Sequence, residues 1–194
     1  MLDAKAREAL EGFSAWVGRT FTRIGFTANS LTILGVALSA VATWRLAYGA
    51  FLAGGIILMI GGMLDFCDGA VARVQGTASE AGAFFDSVTD RLSDSMVFSA
   101  LTWYFLARGD EWTAVAALAG YGMAQMTSYI RAKAEALGYD CKVGLIERAE
   151  RLIILCAGLM LWFVKVSLWA IAVLGAVTVI QRLVHVTRQA RARA

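Results

Sequence analysis

The chain has no proline in its 194 residues, a single histidine and three cysteines. Without proline, every turn has to be made by Gly, Asn, Asp or Ser. Cys67, Cys141 and Cys156 are odd in number and share no metal-ligand spacing, so no disulfide framework is indicated, and all three read as structural bystanders. Charge is also scarce, at 17% of residues, while 59% are hydrophobic. Soluble domains carry roughly a quarter charged residues. That gap excludes a disordered chain, a nucleic-acid module and a secreted disulfide scaffold, and leaves an integral membrane protein. The opening segment to Arg23 is too charged for a signal peptide, because it lacks the apolar run.

About 20 apolar residues cross a ~30 Å hydrocarbon core as a helix. The sequence predicts an all-α membrane domain over 1–194, with an N-terminal amphipathic helix in 1–27 and a six-helix transmembrane core in 28–194. In the first part, Leu10, Phe13, Trp16, Val17, Phe21 and Ile24 recur at spacings of three and four. Lys5, Arg7, Glu8, Glu11, Arg19 and Arg23 fill the other face. That is the pattern of a helix lying in the membrane surface. Spans are expected at 30–49, 51–73, 82–107, 112–136, 150–165 and 167–187, with joints at Gly49, Gln75–Thr77, Gly109–Asp110, Gly138–Gly144 and Lys165–Ser167.

Counting Lys and Arg by side sets the orientation. Fourteen fall on the side of the termini and of the 2–3 and 4–5 connections; Arg45, Arg108 and Lys165 fall opposite, and Arg91 lies inside the third span. Both termini are therefore expected to face the cytoplasm, in a cytoplasmic (inner) membrane. Trp103, Tyr104, Trp112, Trp162 and Trp169 read as interfacial belts. Gly54, Gly55, Gly61, Gly62, Gly120 and Gly122 read as points of close helix contact.

Spans two and three carry acids where a bystander helix has none. Asp65 and Asp68 are three apart, Asp86 and Asp90 four apart, so each pair shares a helical face. Joined by a short turn, the two faces can confront each other near the cytoplasmic ends. A carboxylate at mid-bilayer costs about 2.5–3.5 kcal/mol, and four would repel one another unless cations lie between them. Hard divalent ions held by oxygen meet that need; Mg²⁺ takes a few carboxylates plus phosphates and water. Two such ions can clamp a diphosphate and steady a leaving phosphate, while a further carboxylate takes the proton of an attacking hydroxyl. Gly69 and Gly82 permit close approach of a bulky ligand.

The string Asp65-x2-Asp68-Gly69-x2-Ala72-Arg73-x8-Gly82-x3-Asp86-x3-Asp90 resembles the signature of the CDP-alcohol phosphotransferases at eight fixed residues and five gaps. The amphipathic helix and six-span layout are similar too. The resemblance implies that an acceptor hydroxyl attacks the lipid-side phosphorus of CDP-diacylglycerol, or of a CDP-linked archaeal-type lipid, releasing CMP. It implies that Asp65, Asp68 and Asp86 hold the metals, Mg²⁺ or Mn²⁺, and that Asp90 completes the second metal site and acts as general base. It places Gly69, Arg73 and Ser79 at the CDP portion. The family's Pro-Asn-x-Leu-Thr-like string reads Ala28-Asn29-Ser30-Leu31-Thr32 here, without the proline. Asn29 and Thr32 remain cytidine or phosphate contacts in this reading, or caps of the first span. The family also suggests a homodimer.

The acceptor side is read from Arg131, Lys133, Arg148 and Arg151 around the 4–5 connection, with Arg182 near the end of span six. Guanidinium forks suit a phosphate monoester. The wording of Ser128–Glu135 and Gly144–Arg151 resembles the branch making phosphatidylinositol phosphate or archaetidylinositol phosphate, whose acceptor is inositol phosphate; glycerol 3-phosphate satisfies the same charges. The bland reading of these cations is positive-inside topology and pairing with Glu135, Glu147 and Glu150. Asp94 continues the rhythm of Asp86 and Asp90 and reads as structural, pairing with Arg91; His185 reads as a packing residue. Rival classes are a membrane prenyltransferase, which normally needs two separate Asp-rich motifs, and a cation transporter with an acid-lined pathway, which leaves the Gly-x2-Ala-Arg spacing unexplained.

Overall fold

The computed structural model describes residues 4–193, and among them it is all helix. The order is α1 (Ala4–Arg23), α2 (Ala28–Ala47), α3 (Phe51–Gln75), α4 (Glu80–Leu106), α5 (Glu111–Ala136), α6 (Arg148–Met160) and α7 (Val164–Arg193). The side chains of residues 4–11 and of Phe13 lie outside the described residues, and with them the expected face of Leu10 and Phe13 and its polar partners Lys5, Arg7, Glu8 and Glu11. Helix α1 stops at Arg23 rather than running to residue 27, because Gly25 turns the chain with φ 92°. It packs on α3, with Val17 buried and Trp16 exposed.

The helices α2 to α7 alternate in direction, with α3 packed between α2 and α6, α4 between α2 and α5, and α7 against α5 and α6. Leu46, Leu58, Leu101, Leu159, Leu168 and Ile171 meet in the centre. Ile33, Ile60, Leu118, Ile153, Val173 and Ile180 point outward and are exposed, which a water-soluble surface does not tolerate over such a breadth. Helices α2, α3 and α7 are long and apolar enough to cross a membrane. Helices α4 and α5 carry acids and bases at their site ends, and α6 has only 13 residues. In lipid, helices associate through dispersion and close approach rather than the hydrophobic effect. Gly54, Gly55, Gly61 and Gly62 accordingly face Leu46, Leu159, Gly35 and Leu152, and Gly120 faces Phe98 and Ile171; Gly122 meets no other helix among the described residues.

Two boundaries differ from the sequence expectation. The cap of α2 is Thr27 with Ser30, each side chain bonding the other's backbone N–H, so neither Asn29 nor Thr32 caps it. The α6–α7 joint falls at Leu161–Phe163 instead of Lys165–Ser167, with Trp162 in the left-handed region at φ 64°. Bulky residues rarely adopt that conformation, so no residue type announced the turn. Gly158 allows it: a Cβ there would lie 2.2 Å from Ser167 Oγ and 2.5 Å from Ser167 Cβ. Gly158→Ala is therefore expected to destabilise the fold by about 1–3 kcal/mol, seen as a lowered Tm in detergent.

The ends of the bundle differ in chemistry. One end holds the turns at Gly49 and Gly109 and the aromatic group of Phe51, Tyr104 and Trp162, with Arg108 over the Tyr104 ring at 3.8 Å. There the Lys165 ammonium, 2.6 Å from Asp110 Oδ2, holds that carboxyl below its ordinary value. The other end gathers the last turns of α3 and α5, the first turns of α4 and α6, and the far half of α7. All the sequence-derived site residues lie at this second end.

Candidate active site

The α3–α4 turn is closed by Gly76 at φ 64°, where glycine is favoured. Ser79 then caps α4, its Oγ accepting from Gly82 N–H at 3.1 Å. This short reversal lays the Asp-bearing faces of α3 and α4 against each other. One carboxylate oxygen from each of Asp65, Asp68 and Asp86 lies within 4.8 Å of the other two. Thr32 of α2 donates to Asp68 Oδ2 at 2.6 Å and fixes that carboxylate in a buried position. Asp90 stands one turn deeper. Its Oδ1 is 2.9 Å from Arg148 Nη2, and Arg148 Nη1 is bonded to Asp65 Oδ2.

Three hard oxygen donors within a few ångströms suit a divalent ion such as Mg²⁺ or Mn²⁺. The donor chemistry fits: three carboxylates converge, and Arg148 is the cation that reaches two of the four acids. Arg73, the basic residue nearest to Asp68 in sequence, turns away, and its Nη2 donates to Ser14 Oγ at 2.8 Å.

Beside the carboxylates opens a basic cavity of about 340 Å³, lined by Asp90 and Asp94 of α4, Arg131 of α5, Glu147, Arg148 and Arg151 at the start of α6, and Arg182 of α7. Arg131 donates to Glu135 at 2.9 Å and Glu147 at 3.4 Å. Arg151 is buried, 3.3 Å from Thr127 Oγ1 and 3.5 Å from Asp94 Oδ2. Asp94 thus pairs with Arg151 and not with Arg91, which donates to the Ser87 carbonyl on its own helix. A second cavity of about 30 Å³ lies behind the acids, lined in part by Thr32, Ser39, Thr89 and Ser93, polar enough to hold a water.

The expected acceptor group separates on this geometry. Arg131, Arg148 and Arg151 line the cavity, whereas Lys133 is exposed and does not. Residues two apart sit about 200° apart around a helix, so Lys133 cannot share Arg131's face. Arg182 lines the wall but is committed to the scaffold: Nη1 donates to Thr127 O at 2.7 Å, Nε to Val143 O at 2.8 Å and Nη2 to Glu147 at 3.2 Å.

The expected CDP contacts separate too. Asn29 is exposed on the first turn of α2 and free of the Asp68 network, while Thr32 is buried and serves Asp68. Gly69 faces the Arg73 side chain, 3.6 Å from where a Cβ would sit. Ser79 spends its oxygen on the α4 cap. The sequence reading missed two links, Thr32 to Asp68 and Arg148 to Asp65. It also missed Thr127, which ties two arginines. His185 is half-buried near Asp140 and away from the acids. The three cysteines are unpaired; burial pushes the Cys141 thiol above its ordinary value.

Acids and arginines thus gather at one end of a helical bundle whose outer surface is broadly apolar. The profile of the CDP-alcohol phosphatidyltransferases matches residues 26–181, and the chain belongs to that family. It is 36% identical over 192 residues to the phosphatidylinositol phosphate synthase of Mycobacteroides abscessus, spanning 94% of this chain and 87% of that protein. It is 36% identical over 170 residues to the archaetidylinositol phosphate synthase of Methanothermobacter thermautotrophicus, spanning 84% and 85%. Crystal structures of Mycobacterium tuberculosis phosphatidylinositol phosphate synthase superpose closely at 33% identity. The form with CDP-DAG bound gives a TM-score of 0.81 over 89% of this chain and 92% of that one. The complex with manganese and citrate gives 0.82 over 89% and 88%.

Proposed function

We propose that this protein transfers the phosphatidyl group of a CDP-diacylglycerol-type lipid to a hydroxyl of inositol phosphate, releasing CMP in phospholipid biosynthesis. The observation that carries this reading is the contact between two sites: Asp90 belongs both to the acidic group and to the wall of the arginine cavity. The relatives named as inositol phosphate-type synthases support the acceptor. In this reading α2 to α7 all span the membrane, α1 lies in its surface, the site faces the cytoplasm at the inner membrane, and the protein is a homodimer, as the family resemblance implies.

Asp65, Asp68, Asp86 and Asp90 would hold divalent metal, Mg²⁺ or Mn²⁺, as two ions. When bound, the metal supplies positive charge that polarises the reacting phosphorus and steadies the departing phosphate. Arg131, Arg148 and Arg151 hold the acceptor's phosphate monoester by charge-assisted hydrogen bonds. That grip presents a ring hydroxyl to Asp90, which takes its proton. The new O–P bond forms at the lipid-side phosphorus, the bond to CMP breaks, and CMP leaves with the electron pair. Gly69 and Arg73 flank the nucleotide side, with Asn29 and Ser79 at its rim.

The test is CMP release from CDP-diacylglycerol and Mg²⁺ with inositol 1-phosphate, glycerol 3-phosphate, serine or free inositol. Release with inositol 1-phosphate supports the proposal. Release with glycerol 3-phosphate alone makes the protein a phosphatidylglycerophosphate synthase, and release with serine alone overturns the phosphate cavity. A paired substitution reads the cavity directly. Arg131→Ala is expected to raise the acceptor KM by about 10- to 100-fold, the worth of a charged hydrogen bond. Lys133→Ala is expected to leave it unchanged.

A further inference from the structure

Arg148 belongs to two places at once. Its guanidinium contacts Asp65 Oδ2 and lies 2.9 Å from Asp90 Oδ1, while the same side chain lines the basic cavity. Its neighbour Glu147 is engaged the opposite way. Glu147 Oε1 accepts from Arg131 Nη1 at 3.4 Å and from Arg182 Nη2 at 3.2 Å. A cation therefore sits on the acids, and an anion on the arginines, from adjacent residues where α6 begins.

We propose that Glu147 and Arg148 act as a charge-exchange pair that couples divalent-metal binding to acceptor-phosphate binding; this rests on the proposed function and adds positive cooperativity to it. In the proposed two-ion site, a divalent ion and the Arg148 guanidinium compete for the Asp65 and Asp90 carboxylates. When the ion takes them, Arg148 is left partly buried without its carboxylates, which is costly. A phosphate dianion in the adjoining cavity supplies the replacement, in the geometry a guanidinium fork matches. Arg148 Nε is buried with no hydrogen-bond partner, so one donor is already unspent.

The exchange also works from the other side. A phosphate arriving at Arg131 displaces Glu147, whose side chain is 52% exposed and can turn to water. It sits at a helix N-terminus, where a carboxylate is favoured. Drawing Arg148 toward the phosphate uncovers Asp65 and Asp90 for the ion. Linkage requires that each ligand tighten the other by the same factor.

The test measures Mn²⁺ affinity of the full-length protein in detergent by the EPR signal of free Mn²⁺, with and without saturating inositol 1-phosphate and with no CDP-lipid present. The wild type is expected to bind Mn²⁺ about 5- to 150-fold more tightly with the acceptor, the usual range of coupling between sites. Arg148→Gln is expected to lose that gain, and to bind Mn²⁺ alone at least as tightly as the wild type, since a competing cation is gone. Arg148→Lys, which keeps the charge without the fork, is expected to fall between and guards against a folding failure of the first variant. Glu147→Gln is expected to bind inositol 1-phosphate more tightly. Weaker Mn²⁺ binding in Arg148→Gln with the coupling intact overturns the proposal in favour of a scaffold role. So does a wild type that turns over inositol 1-phosphate while its Mn²⁺ affinity ignores it, and that result leaves the proposed function standing. Coupling by glycerol 3-phosphate and not by inositol 1-phosphate supports the exchange and removes the inositol assignment.

Discussion

Asp90→Asn is expected to lower CMP release by about 10²- to 10⁴-fold, the usual worth of a positioned general base. The reason is placement. Asp65, Asp68 and Asp86 cluster together, and Asp94 is occupied by Arg151. Asp90 alone of these acids borders both the basic cavity and the Asp65 carboxylate through their shared Arg148. The amide keeps shape and most hydrogen bonding but cannot accept the proton. The effect should appear mainly in kcat, with the acceptor KM changed less, because Arg131 and Arg151 do not depend on Asp90 and Arg148 keeps its bond to Asp65. Asp94→Asn makes the contrast: it loosens Arg151 and should raise KM more than it lowers kcat. Undiminished turnover in Asp90→Asn would take the base role away from that residue.

Arg182→Ala is expected to damage the fold more than any other single change at the site. The side chain is 3% exposed and pins three elements to α7: the α5 carbonyl of Thr127, the connecting-loop carbonyl of Val143, and the Glu147 carboxylate at the start of α6. Removing it takes the side-chain donor from the Val143 loop carbonyl, unties α5 and the start of α6 from α7, and leaves a hole beneath the cavity. Breaking such a buried set costs about 3–5 kcal/mol, a fall in Tm on the order of 10 °C for a chain of this size. Differential scanning fluorimetry in detergent reads it. Arg182→Lys should recover little, since one ammonium cannot serve three acceptors spread around a planar group. If Arg182→Ala keeps its Tm and only raises the acceptor KM, Arg182 is a ligand contact and not a strut.

Much of the site was legible in the sequence because helical periodicity is a local rule. The spacing of Asp65 to Asp68 and of Asp86 to Asp90, with Gly76 to reverse the chain, is enough to bring two acidic faces together. The same rule, not applied to the basic residues, would have separated Arg131 from Lys133: the sequence reading grouped them, yet they are two residues apart and only Arg131 lines the cavity. What periodicity does not carry is which side chains meet across long loops. Thr32 finds Asp68 across 36 positions, and Arg148 finds Asp65 across 83. Arginines counted only for charge therefore read alike, although one is a strut, one bridges the acids, and one lines the cavity. The α6–α7 turn was hidden for another reason: Trp162 adopts a backbone conformation its residue type disfavours, permitted by Gly158 near the end of α6, which lets Ser167 of α7 come close.

The most direct test of the central claim is the anomalous scattering of Mn²⁺ in crystals of this protein, read together with CMP release after chelation. Density between Asp65, Asp68 and Asp86, lost in Asp68→Asn, with activity abolished by chelator and restored by Mg²⁺ or Mn²⁺, is the result expected. Manganese found elsewhere, or turnover that persists in chelator-stripped protein, would contradict it.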